Sequence, residues 1–213
     1  RVEPVDGNAG LQLKAGEDPK ELERRRDLWV QCHSYKCLMR MVTRGYDEVG
    51  ERVIPGSQAG FTRGMNAPGQ TLAARLQAEQ AMAEQGMCVR GYIDIQTFFP
   101  AVVHEVQWAC EKWAGVPPPV TEVVRALRED LWGRYETAYG LSKPFRIDRG
   151  TGQGCISSPA RSKLLLAVMQ RAVSKLCRGF AYTAWGKAVP TLMFADDTLL
   201  MASNVADMQH AME

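Results

Sequence analysis

Histidine is scarce in this sequence: three residues in 213, at positions 33, 104 and 210. None lies near Cys155 in the chain, so reading that cysteine as a nucleophile has no local support, and a structural thiol is the better reading. The six cysteines, at 32, 37, 88, 110, 155 and 177, form no Cys-x-x-Cys pair and no zinc-spaced cluster. They read as structural thiols of a reducing compartment. The longest purely apolar run, Leu164 to Met169, falls far short of the ~20 residues of a membrane span. A net charge of +2 gives no bulk basic character, and no internal repeat is visible. No secretory leader is visible either, the chain starts at Arg1, and it stops at Glu213 inside an expected helix. Both ends therefore read as cuts in a longer polypeptide.

What is present is ordinary globular material, 46% hydrophobic and 23% charged, enough for one large domain or two small subdomains. Residues 1–20 read as a loop or extended lead-in, 21–44 give mixed signals, and Gly45 to Ala67 reads as loop. Arg24-Arg25-Arg26, Lys36, Arg40 and Arg44 form a basic run whose plain reading is a solvated face. A helix is expected over 70–85, with Leu72, Leu76, Ala83 and the alanines between them on its apolar side and Gly86 as its stop. Residues 88–95 alternate as a strand, with Asp94 near its C-terminal end and turned away from the apolar face. Pro100 opens a helix striped by Val102, Val106, Ala109 and Trp113, and Gly115 ends it. Thr121 caps a helix carrying Val124, Leu127 and Leu131. A hairpin is expected around 140–142, a helix over 159–177, and strands over 180–185, 188–194 and 198–202. Asn204, with Asp207 three residues on, starts the last helix.

The strongest chemical signal is Phe194-Ala195-Asp196-Asp197 between two apolar strands. Adjacent aspartates are common in turns for purely local reasons. Here two carboxylates at the tip of a buried hairpin repel each other, and a divalent cation shared with a third carboxylate relieves that cost. Asp94 supplies the third. Alone it would be a polar strand end. Two metal ions held by such carboxylates activate a hydroxyl nucleophile and steady a leaving pyrophosphate. The loop Gly150-Thr151-Gly152-Gln153-Gly154 lacks the Gly-Lys-Ser/Thr ending of a P-loop, but its backbone suits close approach to a nucleotide.

In order, these segments resemble the reverse transcriptase domain of non-LTR retrotransposon type (group II intron/LINE-like), over roughly residues 22–213 and truncated after Phe-Ala-Asp-Asp. Tyr92-Ile93-Asp94-Ile95-Gln96-Thr97-Phe98-Phe99 is similar to its first catalytic motif, Gly150 to Pro159 to its Gly-x-x-Gln-Gly-x-x-x-Ser-Pro motif, and Phe194 to Asp197 to its Phe/Tyr-x-Asp-Asp. Gln58-Ala59-Gly60-Phe61 is similar to the fingers motif Gln-x-Gly-Phe. The resemblance implies that Asp94, Asp196 and Asp197 are catalytic and hold metal, with the Ile95 carbonyl assisting. Phe99 would be the gate against a ribose 2′-hydroxyl; Gln153 and Gly154 would position substrate, and Arg26 and Arg63 would contact it. Gly152 departs from the larger residue of many relatives, Thr62 from an arginine, and Phe98 from a small residue.

The implied fold is α+β: a right-hand polymerase palm, an antiparallel sheet with helices packed on one face, plus fingers, with the thumb absent. Residues 1–86 would be lead-in and fingers, 87–116 palm, 117–148 a fingers insertion and 149–213 palm. The implied activity is RNA-directed DNA polymerase, incomplete in this chain alone. It would use Mg²⁺, with Mn²⁺ as the alternative ion, and an RNA template, a DNA primer and dNTPs. No membrane is involved, the setting is intracellular (cytoplasmic or nuclear, not secreted), and the oligomeric state stays open. Two rival readings are a non-catalytic nucleic-acid-binding remnant and an RNA-directed RNA polymerase palm, against which Phe99 argues.

Overall fold

The computed structural model describes residues 7–13, 25–137, 140–176, 180–182 and 187–213. Arg24, Cys177 and the expected strand residues 183–185 lie outside them. In chain order the elements are β1 (Gly7–Leu13), β2 (Arg25–Val30), α1 (His33–Val53), α2 (Ala67–Ala83), β3 (Val89–Ile93), α3 (Phe98–Ala101), α4 (His104–Ala114) and α5 (Pro118–Arg128). They continue with β4 (Trp132–Thr137), β5 (Gly140–Leu141), β6 (Phe145–Arg146), α6 (Ser158–Leu176), β7 (Phe180–Tyr182), β8 (Lys187–Val189), β9 (Thr191–Phe194), β10 (Asp197–Ala202) and α7 (Val205–Met212). The chain divides into two compact units, Arg1–Arg52 with Thr97–Ser162, and Val53–Gln96 with Lys163–Glu213.

The first unit holds a sheet in the order β2-β1-β4-β5, with β6 also on β4; β1 pairs antiparallel with β2 and parallel with β4. A hairpin is there, β5 and β6 both returning antiparallel to β4, but Gly140 and Leu141, expected in its turn, form β5 instead. Helix α1 replaces both the mixed signal before Arg44 and the loop expected from Gly45. Tyr35, Met39, Val42, Tyr46 and Val49 bury one stripe at helical spacing. Gly45 stays within the helix because a Cβ there would meet Val120 at 3.0 Å, so glycine permits close packing. Arg40 and Arg44 are exposed, as a solvated face requires.

Helix α4 reverses its expected stripe. Val106 and Trp113 are exposed, while His104, Gln107, Cys110 and Glu111 are buried. Pro100 falls inside the short α3 rather than opening α4, and Gly115 ends α4 in the left-handed region as expected. The reason for the reversal is a buried polar cluster. Glu111 Oε1 accepts from Arg161 Nε at 2.7 Å and from Gln107 Nε2 at 3.0 Å, and Glu111 Oε2 accepts from the Tyr46 hydroxyl at 2.9 Å. Helix α5 starts at Pro118 rather than at Thr121, consistent with the preference of proline for the first helical turn.

In the second unit, β3-β10-β9 form an antiparallel sheet and β7-β8 a separate ribbon. Alternation sends Leu200 and Ala202 to one face with Val89 and Ile93, where Met208 of α7 packs on them. Leu192 and Met201 take the other face against Ala81 of α2, with Ala73 and Ala74 around them. Helix α2 therefore docks by alanines. Leu72, Leu76 and Ala83, expected on its apolar side, are exposed. Small side chains let the helix approach the sheet, and bulky ones at those positions would hold it off. Asn66 caps α2 and Asn204 caps α7, each side chain accepting from a backbone N–H three residues on. Among the described residues, no helix is long and apolar enough to cross a membrane.

Candidate active site

Strand β3 meets β10 in a register that pairs Ile93 with Thr198 and Tyr92 with Leu199. Asp94 directly follows Ile93 and Asp197 directly precedes Thr198, so both aspartates lie at the same end of the sheet, just beyond that last pair. Strands β9 and β10 are joined by Ala195-Asp196 alone, since Phe194 pairs with Asp197. So tight a turn needs a residue in the left-handed region, and Ala195 takes it with φ 57°. Asp94 and Asp197 are exposed and Asp196 is half-buried.

Asp94 and Asp197 also line one cavity of about 550 Å³, with Arg75, Arg90, Tyr92 and Phe194 on its wall. Like charges gathered at one site repel, and a bound cation relieves that repulsion. Among the described residues, no three or more His, Cys, Asp or Glu side chains group closely enough to hold a metal ion. Asp94 and Asp197 nonetheless suit magnesium. That ion takes one or two carboxylates and fills its octahedron with water and substrate phosphates rather than with an all-protein cage. Arg90 adds positive charge and anchors the strand by donating to the Ala74 carbonyl.

The other expected residues belong to the first unit, apart from Ile95, half-buried beside Asp94, and Arg63, exposed after the Gly60 turn. In the glycine loop, Gly150, Gly152 and Gly154 have φ of 89°, 80° and 102°, a region only glycine enters freely. Gly152, where a larger residue was expected from the resemblance, lies under Trp29, whose ring a Cβ would meet at 3.1 Å. The loop carbonyls are tied down. Arg128 donates to the Gly150 oxygen at 2.6 Å and to that of Thr151, His104 Nε2 reaches the Gly150 oxygen at 2.9 Å, and Trp29 N–H donates to the Gln153 oxygen at 2.8 Å. Gln153 borders a cavity of about 220 Å³ with Trp29, Tyr135 and Phe145, and exposed Arg146 and Arg149 at its edge. Arg26 lies in β2, in register with Gln12.

Phe98 and Phe99 contact edge-to-face at 5.4 Å; Phe98 is buried and Phe99 half-buried. The bulk of Phe98 is thus absorbed by the core. Cys155 is buried beside Ser157, as a structural thiol should be. Sequence reasoning missed Arg128. It sits four residues after buried Val124 on α5, and an arginine within an apolar stripe was the available signal.

This architecture, a three-stranded antiparallel sheet with aspartates gathered at one end beside a tight hairpin and helices around it, is that of a polymerase palm with fingers. The chain belongs to the reverse transcriptase (RNA-dependent DNA polymerase) family, whose profile matches residues 19–213. It is therefore a member of a nucleotidyltransferase family. No curated protein sequence matches it. Among solved structures it is similar to apo telomerase from Candida tropicalis truncated of its C-terminal domain, with a TM-score of 0.61 at 14% identity over 100% of this chain and 47% of that one. It is also similar to telomerase from Candida albicans in complex with a fragment of telomeric RNA, with a TM-score of 0.60 at 9% identity over 96% of this chain and 38% of that one. The RNA-dependent RNA polymerase of bacteriophage phi12 aligns with a TM-score of 0.52 at 10% identity, over 98% of this chain and 38% of that one. At such identities the likeness shows the fold. The chain spans under half the length of these proteins.

Proposed function

We propose that this chain is core material of an RNA-directed DNA polymerase from a retroelement of non-LTR type. It would add dNTPs to a primer 3′-hydroxyl on an RNA template inside the cell. The observation that carries the reading is that Asp94 and Asp197 adjoin the paired Ile93 and Thr198 at one end of the sheet and line the same cavity. Asp94 and Asp197 would hold Mg²⁺ or Mn²⁺ with Asp196 and the Ile95 carbonyl as further donors; the ion, when bound, supplies Lewis-acid stabilisation of charge on the reacting phosphate oxygens. The chain's own part is orientation. The tight turn presents the carboxylates, and the carbonyl anchors of the glycine loop keep Gln153 and Gly154 in one conformation for a nucleotide. Phe99, bulky and rigid, would exclude a 2′-hydroxyl, and Arg26 and Arg63 would contact phosphates.

Primer extension tests this directly. A chain spanning the whole polymerase domain should extend a DNA primer on an RNA template with dNTPs in Mg²⁺. Asp197→Asn should abolish extension, and its persistence would contradict the assignment. The 213-residue chain alone should extend little. A ribonucleotide-polymerising reading is supported only by the likeness to the phage polymerase fold, and competition between rNTPs and dNTPs separates the two.

A further inference from the structure

We infer that Gln58 is a positioning residue for the aspartate turn, its side-chain amide setting the backbone from which Asp196 and Asp197 project. The inference rests on the metal-holding role proposed above for these aspartates.

The segment Ser57-Gln58-Ala59-Gly60 runs beside β9 as a short parallel bridge. Ala59 N–H donates to the Met193 carbonyl at 2.9 Å, and Met193 N–H donates to the Ser57 carbonyl at 2.9 Å. That pairing ends two residues before the turn. The Gln58 side chain extends it. Its Nε2 donates to the Ala195 carbonyl at 3.0 Å, and its Oε1 accepts from Ala195 N–H at 3.1 Å and from Gly60 N–H at 2.8 Å. A primary amide has the same donor and acceptor as a peptide group, so Gln58 satisfies Ala195 on both sides as a paired strand would. Ala195 is the left-handed residue immediately before Asp196, and such a conformation in a non-glycine persists only where its surroundings over-determine it.

Two further observations exclude a loose contact. Gln58 is 1% exposed, so its three bonds are made away from competing water. A Cβ on Gly60 would stand 1.9 Å from the Ala195 nitrogen, so this backbone passes as close to the turn as a glycine allows. The segment itself is anchored from outside the turn. Gln170 Nε2 donates to Ser57 Oγ and to Thr191 Oγ1, each at 2.9 Å. Gln58 touches neither metal nor substrate in this account; it acts through the backbone of Ala195.

The test is Mn²⁺ binding to the 213-residue chain, followed by electron paramagnetic resonance well below the melting midpoint, with circular dichroism verifying the fold. Gln58→Met keeps volume and removes all three bonds; Gln58→Asn keeps an amide but shortens its reach. Asp94→Asn and Asp197→Asn are the controls. Removing a group that orients metal ligands typically weakens affinity about 10–100-fold, and a loss of that size is expected in both Gln58 variants. Amide hydrogen exchange should also speed up over 194–197 while α2 keeps its protection. If the aspartate variants lose Mn²⁺ and a folded Gln58 variant binds within twofold of the parent chain, the positioning role is overturned and the metal reading stands. If the parent binds no Mn²⁺, or the aspartate variants bind as it does, the metal reading fails and takes this one with it. Collapse of the fold in both Gln58 variants also overturns the proposal, since a structural role then accounts for the residue.

Discussion

Glu111→Leu should be among the most destabilising substitutions in the first unit. Glu111 and Arg161 are both fully buried, 0% exposed, and the carboxylate is the acceptor for Arg161, Gln107 and Tyr46 together. Arg161 Nη1 and Nη2 have no hydrogen-bond partner among the described residues, so Glu111 is the main compensation for a buried guanidinium. Removing one partner of such a pair leaves an uncompensated charge and costs about 3–5 kcal/mol. For a chain of this size that corresponds to a melting midpoint lower by on the order of 10 °C. The pair is not intrinsically stabilising, however. Glu111→Leu with Arg161→Met removes both charges, keeps the volume and leaves mainly the Tyr46 hydroxyl without its acceptor, a loss of about 1–3 kcal/mol. Urea unfolding of parent, single and double variants measures this. The double variant should recover at least about 1 kcal/mol relative to Glu111→Leu alone. A single variant within about 1 kcal/mol of the parent, or a double variant worse than the single, would refute the electrostatic reasoning.

Three further outcomes follow from the same geometry. Gly60→Ala must displace backbone at Ala195, so it should cost about 1–3 kcal/mol in urea unfolding and broaden Mn²⁺ signals, whereas an unchanged midpoint would contradict the close approach. Burial pushes the His104 imidazole below its usual 6.5, with its hydrogen bond to Gly150 opposing. The unfolded chain therefore takes up the proton first. Stability from this site is fully present above pH 6.5 and declines as pH falls below it, and His104→Asn should flatten that part of the stability profile. Burial pushes the Tyr35 phenol up to about 12, with Cys155 adding to the rise, and burial raises Tyr46 in the same direction. Stability should thus be lost as pH rises from 10 towards 12, with tyrosinate absorbance at 295 nm lagging behind that of free tyrosine; ordinary titration would remove the burial argument.

The aspartate hairpin was legible because its evidence is local. Apolar strands flank a turn dipeptide, and alternation over 88–95 orients Asp94 without tertiary knowledge. The α+β palm with fingers followed from the order of such segments. Helix α1 was obscured by glycines at 45 and 50; the reason for Gly45 is the approach of Val120 from another helix. The stripe of α4 was read inside out, because Glu111 and Gln107 are buried by partners 50 and 54 residues away and polar residues otherwise signal exposure. In α2 the alanines were rightly put on the apolar side, but the leucines grouped with them are exposed, because close packing on a sheet favours small side chains. Gln58 was seen only as part of a motif, since its bonding partner Ala195 is 137 residues away and no periodicity reaches that far.

The central claim is that Asp94 and Asp197 form one divalent-ion site at the end of the three-stranded sheet. Iron-directed cleavage tests it most directly: Fe²⁺ loaded into a magnesium site generates hydroxyl radicals with ascorbate and peroxide, and these cut the nearby backbone. The account predicts two cuts, next to Asp94 and within Phe194–Thr198, both suppressed by excess Mg²⁺ and both lost in either Asp94→Asn or Asp197→Asn. Cleavage at only one of the two segments, or two cuts that respond independently to the two substitutions, would contradict it.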